Sequence, residues 1–368
     1  MKKGIVIALI VLIIGICLAL VGFSAGGAKG FWIDRSGFHL SNAELGKLVK
    51  VDETFNSFKN IDVSADFLDK ITIKEGTEFR VQGSNYERFG GITAELEGNT
   101  LVVKAVRENR WMFNFGIDDL ANWDKKHDEC QVEITYPKGT QFDSVGVVTS
   151  AGIVNVRSLA SDTLRLENDF GDMDVSGVRC SNMDINLNAG DIKISNIEAS
   201  GDIKVISDFG RVVIDNASAK NMGLNLNSGD MQAKGIRTGD ISIVSNFGKV
   251  SIDDATADSM TLRLTSGDMQ AKNITTGSLS AQSDFGKIDI SGLKFTGLCE
   301  IFSTSGDVIL ALLMNEDEVG YELLTDAGDV KIDGRSIKGS VVNRLAGAGA
   351  ELRVEVDFGS IRVNFAGM

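Results

Sequence analysis

Along residues 144–368 apolar and polar positions alternate in short runs, each run is broken by a glycine, and the runs recur. With the turn glycine of each run set as position zero, the series is Gly152, Gly171, Gly190, Gly210, Gly229, Gly248, Gly267, Gly286 and Gly306, in steps of 19 or 20 residues. Gly328 and Gly359 extend it after longer steps of 22 and 31. Apolar columns surround these glycines. Seven positions before them stand residues such as Ile203, Met222 and Ile241, and five before stand Val205, Leu224 and Ile243. Two after stand Val212, Met231 and Val250, and four after stand Ile214, Ala233 and Ile252. A spacing of two on both sides of a turn is strand periodicity with one face buried. A unit this short cannot cover its own apolar face, whereas stacked copies can. The pattern predicts an all-β chain: a parallel β-solenoid of about 19-residue coils, each rising about 4.8 Å. Leucine-rich repeats have a similar period, but their leucine-asparagine consensus and helical segments are absent.

Two alternations run along the stack. One residue before the glycine, Ala151, Phe170, Ala189, Phe209, Ser228, Phe247, Ser266, Phe285 and Ser305 alternate small with aromatic. Three before, Leu187, Ser207, Leu226, Ser245, Leu264 and Ser283 alternate in the opposite sense. Strand parity predicts that both positions point inward, so that each coil keeps a constant core volume. Duplication of a two-coil unit would write the same pattern. One residue after the glycine, Asp191, Arg211, Asp230, Lys249, Asp268, Lys287 and Asp307 alternate in sign. Like charges about 4.8 Å apart would repel, so alternation predicts a surface ladder that holds register. Each exposed pair contributes about 0–1 kcal/mol. With every second carboxylate replaced by a cation, the column is poorly suited to a row of calcium ions. Two before the glycine, Asp169, Asn188, Asp208, Asn227, Asn246 and Asp284 fit turn positions that bond to local backbone.

The N-terminus departs from this pattern. Met1-Lys2-Lys3 precedes an unbroken apolar run, Gly4 to Phe23, about the length a helix needs to span a bilayer. Residues 1–23 are therefore predicted as a membrane anchor, with the lysines cytoplasmic and the rest of the chain outside. Cleavage near residue 28, in "SAGGA", would instead give a secreted form. Residues 24–50 are expected as a linker and 51–143 as an N-terminal β cap or first coils. Residues 144–368 are expected as the regular solenoid. An insertion at 107–129 carries Trp111, Phe113, Phe115 and Trp123, which either pack down as a lid or grip a sugar ring or a protein.

A net charge of −14 argues against a nucleic-acid partner. Beyond the apolar run, Cys130, Cys180 and Cys299 are an odd set and read as core thiols. A 180–299 bridge would have to span about six coils, roughly 30 Å, where a disulfide needs about 7 Å or less. Two histidines, no metal-spaced cluster, no G-x-S-x-G elbow and no phosphate loop leave no catalytic residue, metal or cofactor to assign. The carboxylates follow the repeat, as a solvated face does.

The stretches "FKNIDVSADFLDKITIKEG" (58–76) and "CQVEITYPKGTQFDSVGVVTSAGIVNV" (130–156), with the later "TSGDM" and "DFGKIDI" units, resemble the bacterial putative-adhesin β-strand-repeat family, a LiaG-like domain of unknown function. The resemblance implies a membrane-anchored or exported β-solenoid, often tied to envelope stress, and transfers no catalytic residues. The expectation is a non-enzymatic, membrane-anchored extracytoplasmic adhesin or envelope scaffold. Its partner would be cell wall, another envelope protein or a second copy. The alternatives are an envelope-stress sensor acting through its helix and a polysaccharide-active enzyme using a solenoid groove.

Overall fold

The structure, a computed structural model, describes residues 30–34, 37–41, 46–107, 113–116, 129–337, 339–343 and 349–366. The expected anchor over 1–23 lies outside them. Among the described residues no helix is long and apolar enough to cross a membrane. They form one 26-stranded sheet and a separate three-stranded one.

The large sheet is a coil of parallel rungs. Four successive 17-residue strands, Val212–Ser228, Met231–Phe247, Val250–Ser266 and Met269–Phe285, run almost from glycine to glycine. Each pairs in parallel with the next, so that Met222, Ile241, Met260 and Leu279 stand in one column. A strand this long bends because its ladder skips residues at corners. One corner is the glycine turn. At the second, six residues on, Asn196, Asn216, Asp254 and Asn273 have φ of 53–58°, and Gly177, Gly235 and Gly292 take the same region at every third rung. Asparagine, aspartate and glycine are the residues that tolerate this left-handed backbone. The ladder skips again at Lys220. Three corners make a three-sided rung with the apolar columns inside.

Inside, the Leu/Ser column is buried: Leu226, Ser245, Leu264 and Ser283 are all within 3% of fully covered. Its volume partner lies across the glycine corner, four residues after it. Rungs with Leu226 or Leu264 carry Ala233 or Ala271 there, whereas rungs with Ser207, Ser245 or Ser283 carry Ile214, Ile252 or Ile290, all buried; the rung of Leu187, which carries Ile194, is the exception. Close packing thus sets the alternation, but through an aliphatic pair; the phenylalanines take no part.

Both ends of the stack are threaded out of sequence order. Gly359 lies on Gly306, and Gly328 lies on Gly359. The strand Ala350–Phe358 is inserted between Leu298–Ser305 and Val319–Ala327, parallel to both. The stacking order expected from sequence, Gly306 then Gly328 then Gly359, is therefore corrected. At the other end Asn60–Ala65 sits between Phe142–Ala151 and Thr100–Ala105. Lys70–Gly76 likewise touches both Ile153–Arg157 and Gln131–Pro137. The segment expected as an N-terminal β cap or first coils thus belongs to the same sheet as the rungs that follow it. Antiparallel strands cover part of each open edge, Phe79–Tyr86 against Gln131–Pro137 and Val341–Asn343 against Val319–Ala327. Such covering blunts edge-to-edge aggregation. Phe58 seals the N-terminal end, its ring 4.8 Å from that of Phe79 and 5.9 Å from that of Phe142.

The expected linker is not structureless. Gly30–Asp34 pairs antiparallel with Gly37–Ser41 and with Phe113–Gly116, forming the small sheet. The aromatic insertion is thus tied through its backbone to the segment that follows the apolar run. Trp111 and Trp123 lie outside the described residues.

Candidate binding edge

The glycine corner builds the edge that carries the most exposed chemistry. At Gly229 φ is +134°, and a β-carbon there would stand 1.9 Å from the carbonyl oxygen of Gly210. Gly171, Gly190, Gly210, Gly248, Gly267, Gly286 and Gly306 repeat that approach, each against the corner of a neighbouring rung. The rungs are joined here by corner hydrogen bonds: Gly229 N–H donates to Phe247 O at 2.9 Å and Met231 N–H to Lys249 O at 2.8 Å. Only glycine permits this contact, which explains its regularity.

The phenylalanine column points outward. Phe170, Phe209, Phe247 and Phe285 are 64%, 57%, 56% and 59% exposed, and Phe358 is 65% exposed. The expectation that they pack inward is therefore corrected. Strand parity would have held had the strand stayed regular. In every rung, however, the ladder skips the residue two before the glycine, pairing Leu187 with Ser207 and then Ala189 with Phe209. The chain kinks at the skipped position and the next side chain turns to solvent. Phe170, Ala189, Phe209, Ser228, Phe247, Ser266, Phe285, Ser305 and Phe358 are stacked in that order. Exposed phenyls thus recur every second rung, about 9.6 Å apart, with a small residue between each pair.

The charged column flanks them, and its bonding differs from a chain of ion pairs. The backbone N–H groups of Arg211, Lys249 and Lys287 donate to Oδ1 of Asp191, Asp230 and Asp268 at 2.8, 2.9 and 3.0 Å. Ser360 N–H donates to Asp307 Oδ1 at 2.9 Å. Each aspartate thus accepts the turn amide of the next rung, a bond to a charged acceptor that is stronger than a neutral one. Lys287 Nζ instead lies 2.6 Å from Asp289 of its own strand. On the other flank, Asn188 Nδ2 donates to Asp169 Oδ1 at 2.7 Å and Asn246 Nδ2 to Asn227 Oδ1 at 3.0 Å. These side chains bond up the stack rather than to local backbone as expected.

The edge is therefore a non-polar stripe between two polar ladders, on a scaffold fixed by backbone contact. Sequence reading found the column from Phe170 to Phe285 but missed Phe358, which joins it only through the out-of-order stacking, and misjudged the direction of the phenyls. The chemistry it offers is apolar and polar contact. Among the described residues no group of three or more His, Cys, Asp or Glu side chains is arranged to hold a metal. Cys130, Cys180 and Cys299 are free and buried. Burial pushes the Cys130 and Cys180 thiols up to about 11 and raises Cys299 further, which keeps them protonated and unreactive.

The chain belongs to the Toastrack DUF4097 family, whose model matches residues 58–235 and again 198–364. The overlapping double match follows the repeat. Solved structures also align over most of the chain at low identity. One is a "putative lipid binding protein" from Parabacteroides distasonis, 13% identical over 88% of this chain and 98% of its own, with a TM-score of 0.33. Another is a "putative adhesin" from Parabacteroides merdae, 11% identical over 88% and 97%, with a TM-score of 0.32. A third is a "putative adhesin" from Bacteroides fragilis, 13% identical over 86% and 97%, with a TM-score of 0.23. No curated protein matches the chain.

Proposed function

We propose that this is a non-enzymatic, membrane-anchored envelope protein, an adhesin or scaffold whose solenoid stands outside the cytoplasm and binds through its phenylalanine edge. The observation that carries this reading is the exposure of five phenylalanines in one straight column. Solvated stripes of large apolar side chains mark interaction surfaces on soluble folds. The apolar run Gly4 to Phe23, with Lys2 and Lys3 before it, supports the anchor and its orientation. The repeat serves binding directly, since stacking converts one turn into a long, evenly spaced row of contacts.

The test is retention on isolated envelopes once mild detergent has released the membrane anchor. Full-length protein and a Phe209→Ser/Phe247→Ser/Phe285→Ser variant are compared for retention after washing in that detergent, with thermal melting to confirm equal folding. Retention that falls at least tenfold supports the edge. Retention unchanged in a folded variant refutes it.

A further inference from the structure

We infer that the partner of the phenylalanine edge is a second copy of the same chain, docked antiparallel so that each phenyl seats over a small residue of the other copy. This rests on the reading of that edge as the binding surface and names its occupant.

The argument is one of register. Rungs bearing an exposed phenylalanine alternate with rungs bearing Ala or Ser in the same column. Three of the five phenylalanine rungs carry a cation just after the glycine, Arg211, Lys249 or Lys287, the rungs of Phe170 and Phe358 carry Asp172 and Ser360, and the small-residue rungs between the cations carry Asp230 or Asp268. Consider a two-fold axis perpendicular to the stack and lying in the contact plane, midway between the rungs of Ser228 and Phe247. It reverses the stacking direction but keeps each column facing its own counterpart, as an isologous contact must. It sets Phe247 opposite Ser228, Phe209 opposite Ser266, Phe285 opposite Ala189, Phe170 opposite Ser305 and Phe358 opposite Ala151 of the second copy. With no further adjustment it also sets Lys249 opposite Asp230, Arg211 opposite Asp268 and Lys287 opposite Asp191.

Shape and charge thus become complementary together; moving the axis one rung, to between Phe247 and Ser266, keeps both alternations but sets Asp172 opposite Asp329 and Asp169 opposite Asp326, two like-charge meetings where this axis has one. A parallel arrangement about an axis along the stack would bring equal rungs to the same height, phenyl level with phenyl, and forfeit both. On the other flank, Asp208 meets Thr265, Asp284 meets Asn188 and Asp169 meets Thr304, so each carboxylate faces an amide or hydroxyl. Asp172 against Asp307 is the one like-charge meeting in the charged column.

The area suffices. Five phenylalanines about 60% exposed present roughly 120 Å² each, so two copies would bury about 1,200 Å² from these rings alone. That is the lower bound of a specific interface, before the flanking ladders are counted. A net charge of −14 on each copy opposes the contact; salt screens that repulsion over about 10 Å at 0.1 M.

Position-specific cross-linking of the full-length protein in membranes tests this, in a Cys17→Ala background where the remaining native thiols are Cys130, Cys180 and Cys299, all buried. Ser228→Cys would lie about one rung, roughly 4.8 Å, from its counterpart along the stack, whereas Ser305→Cys would lie about seven rungs, roughly 34 Å, away. A short bismaleimide is expected to convert Ser228→Cys to a dimer-sized band at least tenfold more than Ser305→Cys. Adding Phe247→Ser is expected to remove that band while the melting temperature holds. Equal cross-linking at both positions would mean a parallel or random contact and overturn the inference. Absence of cross-links at Ser228→Cys, together with loss of envelope retention in the phenylalanine variant, would keep the binding edge but assign it to another occupant, such as a glycan or lipid surface. Absence of both effects would remove the edge and the dimer together.

Discussion

The Gly229→Ala substitution probes the stack most directly. The new β-carbon would stand 1.9 Å from Gly210 O and 2.7 Å from its carbonyl carbon, both backbone atoms that cannot swing aside. The residue would also hold a φ of +134°, which side chains rarely adopt; strained backbone of this kind costs about 1–3 kcal/mol. To admit the methyl, the two rungs must part at the corner. That lengthens the bonds from Gly210 N–H to Ser228 O and from Val212 N–H to Asp230 O, now 3.1 and 3.0 Å, each contributing about 1 kcal/mol. The expected destabilisation is roughly 3–5 kcal/mol. Gly223→Ala is the internal control. It lies six residues earlier in the same rung, with no atom within 4 Å of its β-carbon, and should be neutral or stabilising by about 0.5–1 kcal/mol. Urea unfolding gives the overall difference. Hydrogen exchange at the amides of Gly210 and Val212, which bond across this seam, localises it, since rungs couple chiefly to their neighbours. Equal stability of the two variants, within about 0.5 kcal/mol, would refute backbone-on-backbone contact at this corner.

Other expectations follow from the columns. Asp230→Ala should cost about 1 kcal/mol by removing the charged acceptor of the exposed Lys249 amide, while Lys249→Ala should change stability by less than about 0.5 kcal/mol; equal effects in thermal melts would restore the ion-pair explanation of the ladder. Ser245→Leu, which places three leucines in succession between Leu226 and Leu264, should cost about 1–3 kcal/mol. Adding Ile252→Ala should recover part of that loss, and strict additivity in the double-mutant cycle would show that the two positions do not share volume. The buried thiols of Cys130 and Cys180, raised from 9.0 to about 11, ionise first in the unfolded chain. Above pH 9 the unfolded state therefore holds fewer protons than the native one, and stability falls as pH rises from 9 toward 11. A Cys130→Ala/Cys180→Ala variant should show a shallower decline in melting temperature over that window; parallel curves would mean that these thiols are not buried.

Much of this architecture was legible in the chain. Glycine at intervals of 19 or 20 residues is demanded wherever backbone meets backbone at each turn, and a demand repeated at every level becomes a visible period. Apolar residues at spacing two on both sides of that turn named the strands and their inward face, because burial leaves its mark on every residue it touches. What a local pattern does not carry is the path of the chain at its bends and ends. Phe209 and Ser207 have the same parity on paper, yet the ladder skips Asp208 and sends one ring to solvent while the serine stays inside. Gly359 follows Gly328 in sequence but precedes it in the stack, because an incoming strand pairs with whichever edges are open. Repetition within the chain specified the rung. The order of the rungs at each end and the outward turn of the phenyls were decided only when distant strands met, since backbone hydrogen bonds between strands are blind to sequence separation.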